Sequence, residues 1–239
     1  MNRPYIICHM VTSVDGKVTG DFLFRPECAA ATELYYRLNR GRKADGFVCG
    51  RVTMEGSFTG GFYPDLSQYE PVSDVTDYIP PCLQGPFAIA FDTCGKLGWQ
   101  SSVIIDPDGD PGYDGARIIE VLSEKADARY LGYLRTMGIP YLMAGKESID
   151  VCLALAKLKA RIGCDTLLLE GGSILNGAFE RAGAVDEISL VVAPMIAGKE
   201  GKPLFWDAEE MTFSLIGAEQ EQGALLLRYK RETINSSSI

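Results

Sequence analysis

The chain has a single histidine, His9, among its 239 residues, and its seven cysteines include no C-x-x-C pair. Zinc sites draw their ligands from histidines and closely spaced cysteines, so this inventory predicts no bound metal ion. The H-x-E and P-C-x-x-C motifs of zinc-dependent nucleobase deaminases are missing too. A Ser-His-Asp triad would have to use His9, which lies in an apolar run and is better explained as a core residue.

Two nucleotide-binding motifs are also missing. No G-x-x-x-x-G-K-[ST] sequence occurs, and no G-x-G-x-x-G follows the first predicted strand. These absences argue against a P-loop nucleotidase and against a standard dinucleotide-binding fold. The longest uncharged run, residues 78–91, contains three prolines and is no membrane helix. The N-terminal apolar run leads into Asp15 and Lys17, which is not typical of a secretory signal peptide.

The composition is that of an ordinary globular protein, with 46% hydrophobic and 23% charged residues. The net charge of −9 argues against non-specific binding to nucleic acid. The cysteines are scattered, mostly through apolar stretches, which predicts reduced thiols in a cytoplasmic protein.

One segment departs from the acidic average. Within residues 37–51 the only acid is Asp45, and the cations are Arg37, Arg40, Arg42, Lys43 and Arg51. One interpretation is a solvated helix end, where cations are favoured. The other is a cationic patch that binds a phosphorylated small molecule.

Short apolar runs alternate with amphipathic stretches along the chain. The runs predict strands at 5–11, 45–50, 87–92, 139–145, 165–172 and 186–198, with two more at 102–105 and 117–122. Helices are predicted at 28–40, 128–137, 149–162 and 173–182, and one more starts at residue 51. Residues 211–231 predict a hairpin that turns near Gln222 and Gly223.

This pattern predicts an α/β fold, a mostly parallel central sheet flanked by helices with a C-terminal antiparallel hairpin. We expect one domain, residues 1–232, followed by a loose tail at 233–239. The apolar stretch 224–229 is a candidate strand for cover by a second copy of the chain, unless it already lies inside the sheet.

Three predicted strand ends carry unusual residues. The first is "TSVDGK", after the first strand, where Asp-Gly is a turn signal and Lys17 could reach a phosphate or a carbonyl. In open α/β sheets, ligands bind beyond the carboxyl ends of the strands. After the second strand, Gly50 permits a tight turn, and Arg51 and Thr53 fall in the first turn of a helix, where backbone N–H groups favour an anion. After a later strand, "EGGS" combines a buried acid with a glycine pair. Each stretch is equally compatible with an ordinary tight turn, because short motifs recur by chance.

Taken together, the strand ends resemble a known family. "VTSVDGKVTG", "DGFVCGRVTMEG", "FAIAFD" and "LLLEGGSILNGAFERAGAVDEISLVVAPMIAGKEGKPLF" are similar, in order and spacing, to the reductase domain of the riboflavin-biosynthesis deaminase-reductase. Nothing in the chain resembles the deaminase domain, which implies the stand-alone form. The resemblance implies a dihydrofolate reductase-like fold, NADPH as cofactor and a homodimer. The chain differs from the family's usual sequence in two places. It has "YYRLNR" where the family usually has V-H-x-L-R, and its loop after the second strand is different.

The resemblance also implies an activity. The family reduces a ribosylamino-pyrimidine 5′-phosphate, 5-amino-6-(5-phosphoribosylamino)uracil, by hydride transfer to the ribose C1′. Two alternatives stay open, because a fold does not fix a function. One is an NADPH-dependent reductase of a pterin or another heterocycle, and the other is a non-catalytic nucleotide-binding protein on this scaffold.

Residue by residue, the resemblance assigns two sets of positions. The cofactor would contact Thr12, Ser13, Gly50, Arg51, Thr53, Asp92, Gly171, Gly172 and Ser173. Among these, Gly171 and Gly172 would form the turn against the pyrophosphate, and Arg51 would approach the adenosine 2′-phosphate. The substrate would contact Lys17, Thr32, Tyr36, Arg37 and Glu170, with its phosphate near the helix that carries Arg37.

Overall fold

One nine-stranded sheet organises the protein. The structure is a computed structural model that describes residues 2–232. The strands are β1 (Tyr5–Thr12), β2 (Gly46–Gly50), β3 (Phe87–Phe91), β4 (Arg117–Leu122), β5 (Tyr141–Met143), β6 (Thr166–Leu169), β7 (Glu187–Val192), β8 (Phe213–Glu221) and β9 (Ala224–Arg231). They lie in the order β5-β4-β3-β2-β6-β1-β7-β9-β8. The pairs from β5 to β7 are parallel, and the β8–β9 hairpin joins β7 in antiparallel fashion.

Helices cover both faces of this sheet. They are α1 (Ala29–Gly41), α2 (Arg51–Met54), α3 (Ala128–Thr136), α4 (Val151–Lys157) and α5 (Ser173–Arg181). On one face, α3 packs Tyr130 into a buried cluster with Ala88 of β3, and α1 packs against β7 and β9. On the other face, Leu155 of α4 and Phe179 of α5 share a cluster with Ile89. Strands buried on both sides explain the apolar runs in the sequence, and the predicted fold class is confirmed.

Two predictions about strands were wrong, and the alternative left open for residues 224–229 is decided. Residues 102–105 form a loop and not a strand. Their backbone groups bond to residues 115–118, which immediately precede or begin β4, and the only ladder contact is an isolated bridge from Val103 to Arg117. β7 stops at Val192, since the chain turns at Pro194, which has no N–H to continue the ladder. β9 already pairs on both sides, so the outer strand of the sheet is β8. The predicted tail, 233–239, lies outside the described residues.

A segment after β7 crosses the beginning of α5, and we call residues 199–207 the strap. The Ser173 hydroxyl donates to the carbonyl of Pro203, and the N–H of Trp206 donates to the carbonyl of Ser173 at 3.0 Å. Gly177 makes this approach possible, since an added Cβ would lie 1.8 Å from the Trp206 oxygen. The strap is therefore fixed on α5. No helix within residues 2–232 is both long and apolar enough to cross a membrane.

Candidate functional site

The strand ends singled out in the sequence meet at one edge of the sheet. β2, β6 and β1 are consecutive neighbours, and all three run in the same direction. The N–H of Glu170 donates to Val48 at 2.9 Å, and the N–H of Gly50 donates to Gly171 at 2.8 Å. These bonds extend the ladder past the end of β6 and hold "EGGS" beside the start of α2. Two cavities open at this edge.

The first, which we call the cationic cavity, has a volume of about 490 Å³. Five predicted cofactor residues line it: Gly50, Arg51, Thr53, Gly172 and Ser173. Two further cations, Arg181 and Lys202, also line it, and none of its lining residues within 2–232 is acidic. Neither residue was predicted to contact the cofactor, although both lie within the stretch 167–205 that carries the family resemblance.

The glycine turn forms a cradle on the wall of this cavity. An added Cβ at Gly172 would meet only the Thr53 hydroxyl, at 3.2 Å, so the position opens onto the cavity. Gly172 is also the N-cap of α5 and has no side-chain cap, which leaves first-turn N–H groups for an anion. The Ser173 hydroxyl is already bonded to the strap, so this residue offers only its backbone. Cations, free N–H groups and a side-chain-free wall fit the pyrophosphate of a dinucleotide.

Arg51 lines the cationic cavity at the beginning of α2, directly after Gly50. Its guanidinium forms an ion pair with Glu55 at 2.7 Å, and its side chain is 35% exposed. An exposed i,i+4 pair of this kind is weak, so the guanidinium is available to a phosphate.

Four predicted cofactor residues line neither cavity: Thr12, Ser13, Asp92 and Gly171. At Gly171, the first glycine of the turn, an added Cβ would lie against the side chain of Met10. Thr12 donates its hydroxyl to the carbonyl of Lys17 at 3.0 Å, and Ser13 donates to Asp15 at 2.6 Å, so both close the loop after β1 on itself. Asp92 is buried and accepts the N–H of Leu97 at 2.8 Å. Burial raises the pKa of Asp92, against the backbone hydrogen bonds that favour its charged form. The side chains of Thr12, Ser13 and Asp92 organise loops next to the site.

The second cavity, which we call the acidic cavity, is also about 490 Å³. Of the predicted substrate residues, Tyr36 and Glu170 line it. Three more carboxylates come from one loop: Asp106, Asp108 and Asp110. No lysine or arginine within the described chain lines this cavity, whereas Thr53 lines both cavities and marks where they meet.

Glu170 is buried at the inner end of the acidic cavity. It accepts the Asn39 amide at 2.6 Å and the Tyr113 hydroxyl at 2.9 Å. Burial raises the pKa of Glu170 from its usual 4.5 to about 7, although these hydrogen bonds favour the charged form. The carboxyl therefore changes charge near neutral pH, as acid–base groups in active sites often do. Asn39 and Tyr113 were missed because they lie 131 and 57 residues from Glu170 in the sequence.

The other three predicted substrate residues lie outside the acidic cavity. Arg37 forms an ion pair with Glu221 of β8, and both side chains are about half exposed. The Thr32 hydroxyl donates to the carbonyl of Cys28, four residues back on the same helix, at 3.2 Å. Lys17 forms a backbone bridge with Pro203 of the strap, and its side chain lines neither cavity.

His9 has the core role that the sequence predicted. It is fully buried, with Nδ1 3.1 Å from the Ser189 hydroxyl and Nε2 3.0 Å from the Tyr35 carbonyl. Burial lowers the pKa of His9 to about 4, so the ring is neutral at pH 7. Among residues 2–232, no three histidine, cysteine or acidic side chains are grouped to hold a metal ion.

Comparisons with known proteins agree with this architecture. The profile of the RibD C-terminal domain family matches residues 112–224. The 2,5-diamino-6-ribosylamino-4(3H)-pyrimidinone 5′-phosphate reductase of Methanothermobacter thermautotrophicus is 32% identical over 232 residues, which cover 96% of this chain and 92% of the relative.

Two solved structures share the fold. A pyrimidine reductase-like protein from Corynebacterium diphtheriae has a TM-score of 0.69 at 20% identity, covering 97% of this chain and 93% of the other. RibD of Acinetobacter baumannii has a TM-score of 0.66 at 18% identity, and the match covers 97% of this chain. This chain spans only 59% of that RibD chain.

The raised pKa of Glu170 predicts a pH-dependent stability. A group with a raised folded-state pKa stabilises the fold fully below its unfolded pKa, and this contribution is lost as pH rises through the folded value. A rise from 4.5 to about 7 corresponds to about 3 kcal/mol. We expect Glu170→Gln to gain roughly that much unfolding free energy relative to wild type between pH 4.5 and 8, measured by denaturant titration. The exposed control Glu200→Gln should show the same pH dependence of unfolding free energy as wild type. If Glu170→Gln also showed the wild-type pH dependence, the argument from burial would be contradicted.

The cradle predicts that a side chain at Gly172 blocks the expected NADPH. Its φ of −75° is open to any residue, so Gly172→Val should fold. The valine methyl groups would enter the cavity beside Thr53, and NADPH binding should be lost in a fluorescence titration. Gly56→Val, where an added Cβ meets nothing within 4 Å, is the control. Circular dichroism and thermal melting show whether both variants are folded. A folded Gly172→Val protein with normal NADPH affinity would mean that "EGGS" is only a turn and not part of a cofactor site.

Proposed function

The chain belongs to the family of RibD C-terminal domains, and on that premise we propose that it is an NADPH-dependent reductase of a ribosylamino-pyrimidine 5′-phosphate. The observation that carries this proposal is the pair of cavities of opposite charge that meet at Thr53. A dinucleotide in the cationic cavity would lie next to a ring in the acidic cavity. Hydride transfer requires that arrangement, since the reacting atoms must be held in near contact.

NADPH is the proposed cofactor. The three cations and the cradle of the cationic cavity suit a pyrophosphate, and Arg51 at the beginning of α2 suits the 2′-phosphate that NADH lacks. NADPH, when bound, supplies the hydride that is added to C1′. The protein contributes the orientation of both ligands and the exclusion of water between them.

The pyrimidine ring is proposed to occupy the acidic cavity. Carboxylates accept hydrogen bonds, so this lining favours an amino group over a carbonyl at the ring position where the two candidate rings differ. In its ionised form, above its pKa of about 7, Glu170 would accept charge-assisted hydrogen bonds from ring donors at the buried end. This lining, together with the name of the M. thermautotrophicus relative, favours the 2,5-diamino ring over the deaminated uracil ring. The deaminated ring is the second candidate.

The substrate phosphate is proposed to stay outside the acidic cavity, toward the exposed side of α1. Arg40 donates to Asp110 at 2.7 Å, and Asp110 lines the cavity, so this arginine reaches the rim. Arg37 lies one turn earlier on the same helix. A phosphate there would meet two guanidinium groups, and it would compete with the carboxylates that they already bind, Glu221 for Arg37 and Glu33 and Asp110 for Arg40. Thr32 and Tyr36 would then flank the ribose.

A homodimer through the C-terminal hairpin is also proposed. β8 is the outer strand, and the hairpin exposes Leu215, Ile216 and Leu225 to solvent. An exposed apolar edge strand invites pairing with another chain. A second copy covering β8 would remove this surface from water.

Turnover with both rings tests the activity. We expect NADPH oxidation with either ribosylamino-pyrimidine 5′-phosphate. The kcat/KM should be higher for the diamino ring, because a buried site discriminates strongly against a substrate that leaves its polar groups unpaired. Glu170→Gln should lower kcat/KM about tenfold, or ~1.4 kcal/mol, and leave NADPH affinity unchanged. The Glu200→Gln control should match wild type. Absence of turnover with both rings would refute the proposed function.

Light scattering tests the dimer. At micromolar concentration we expect twice the mass of one 26.0 kDa chain. Leu215→Lys together with Ile216→Lys places charges on β8 and should shift the mass toward that of one chain. The matched control is a lysine pair at exposed Val52 and Ile174, away from the hairpin. A wild-type protein with the mass of one chain would disprove the dimer.

A further inference from the structure

Lys202 has a fixed position at the cationic cavity. Its N–H donates to the Thr19 hydroxyl at 2.9 Å, and its carbonyl accepts the N–H of Val18 at 2.9 Å. The loop after β1 therefore holds the lysine backbone from one side. The bonds between the strap and α5 at Pro203 and Trp206 hold it from the other. A cation on a backbone fixed in this way loses less freedom on binding a ligand than one on a free loop.

Within residues 2–232, no acidic side chain pairs with Lys202. The other two cations of the cavity have acidic partners, since Arg51 pairs with Glu55 at 2.7 Å and Arg181 lies 3.4 Å from Asp207. An anion in the cavity would therefore gain the Lys202 charge without displacing a carboxylate.

The strap places Lys202 near the glycine cradle. Pro203, the next residue, accepts the hydroxyl of Ser173 at the first position of α5. Lys202 is thus adjacent in the chain to a residue that contacts the first turn of the helix. Arg51 reaches the same cavity from the beginning of α2. The two cations therefore approach a ligand in the cavity from different segments of the chain.

We propose that Lys202 binds the pyrophosphate of the nicotinamide cofactor, together with the first-turn N–H groups of α5. The pyrophosphate is common to NADPH and NADH, so Lys202 contributes to the affinity for both. Arg51 contributes to the choice between them. This division of roles rests on the proposed cofactor, and no part of it depends on the identity of the substrate.

The test measures cofactor binding without substrate. NADPH and NADH are titrated separately by nicotinamide fluorescence, against wild type, Lys202→Met, Lys202→Arg and Arg51→Ala. Lys202→Met should raise both Kd values by the same factor, about three- to tenfold for a partly solvated charge pair. Arg51→Ala should raise the Kd of NADPH much more than that of NADH. Lys202→Arg should restore most of the affinity, since it keeps the charge.

Lys199→Met is the matched control. It removes a lysine from the same strap, three residues earlier, that does not line the cavity. Its Kd values should equal those of wild type, and thermal melting should show all variants folded. The Lys202→Met effect should also shrink at high salt, because screening weakens partly exposed charge pairs.

The outcomes separate the inference from the proposed function. If wild type binds cofactor and Lys202→Met binds both forms equally well, the role of Lys202 is refuted and the reductase proposal stands. If Lys202→Met lost affinity only for NADPH, Lys202 would instead contact the 2′-phosphate, and the inference would again be refuted. If wild type binds neither NADPH nor NADH, the cofactor assignment fails, and the inference fails with it.

Discussion

Glu170 is a buried carboxyl group at the end of a parallel strand, and the acidic cavity depends on how that group is held. Two neutral donors, the Asn39 amide and the Tyr113 hydroxyl, satisfy its oxygens, and no cation within the described residues contacts it. Burying a carboxylate without a cation is costly, so the group keeps its proton up to near neutral pH. Asn39 ties α1 to this point, and Tyr113 ties the loop that carries Asp106, Asp108 and Asp110. The same carboxyl thus organises the walls of the cavity it occupies.

Charge divides the two cavities, and Thr53 stands at their boundary. Lysine and arginine side chains line one cavity, and aspartate and glutamate line the other. A ligand with two phosphates is attracted to the cationic cavity and repelled by the acidic cavity. A ring rich in amino groups finds its hydrogen-bond acceptors in the acidic cavity. This separation orients two ligands relative to each other before any specific hydrogen bond forms.

The strap connects parts of the site that are distant in sequence. It bonds to the loop after β1 through Lys202 and to the beginning of α5 through Pro203. Its close approach requires the absence of a side chain at Gly177. Loop, strap and helix therefore form one bonded unit around the cradle, and a change in any of the three would alter the cationic cavity.

The sequence by itself determined the sheet and most of the cradle. Apolar runs of strand length fixed seven of the nine strands closely, since burial on both faces leaves a pattern that local chain chemistry can show. "EGGS" and "GRVT" marked the glycine turn, Glu170, Arg51 and Thr53, because parallel strands bring their carboxyl ends to one edge. The tertiary structure alone decided the rest. Thr12, Ser13 and Asp92 turned out to serve their own loops, since short polar side chains bond to nearby backbone when it is available. Asn39, Tyr113 and Lys202 entered the site through contacts between segments far apart in the chain, and no local pattern in a sequence records which segments will meet.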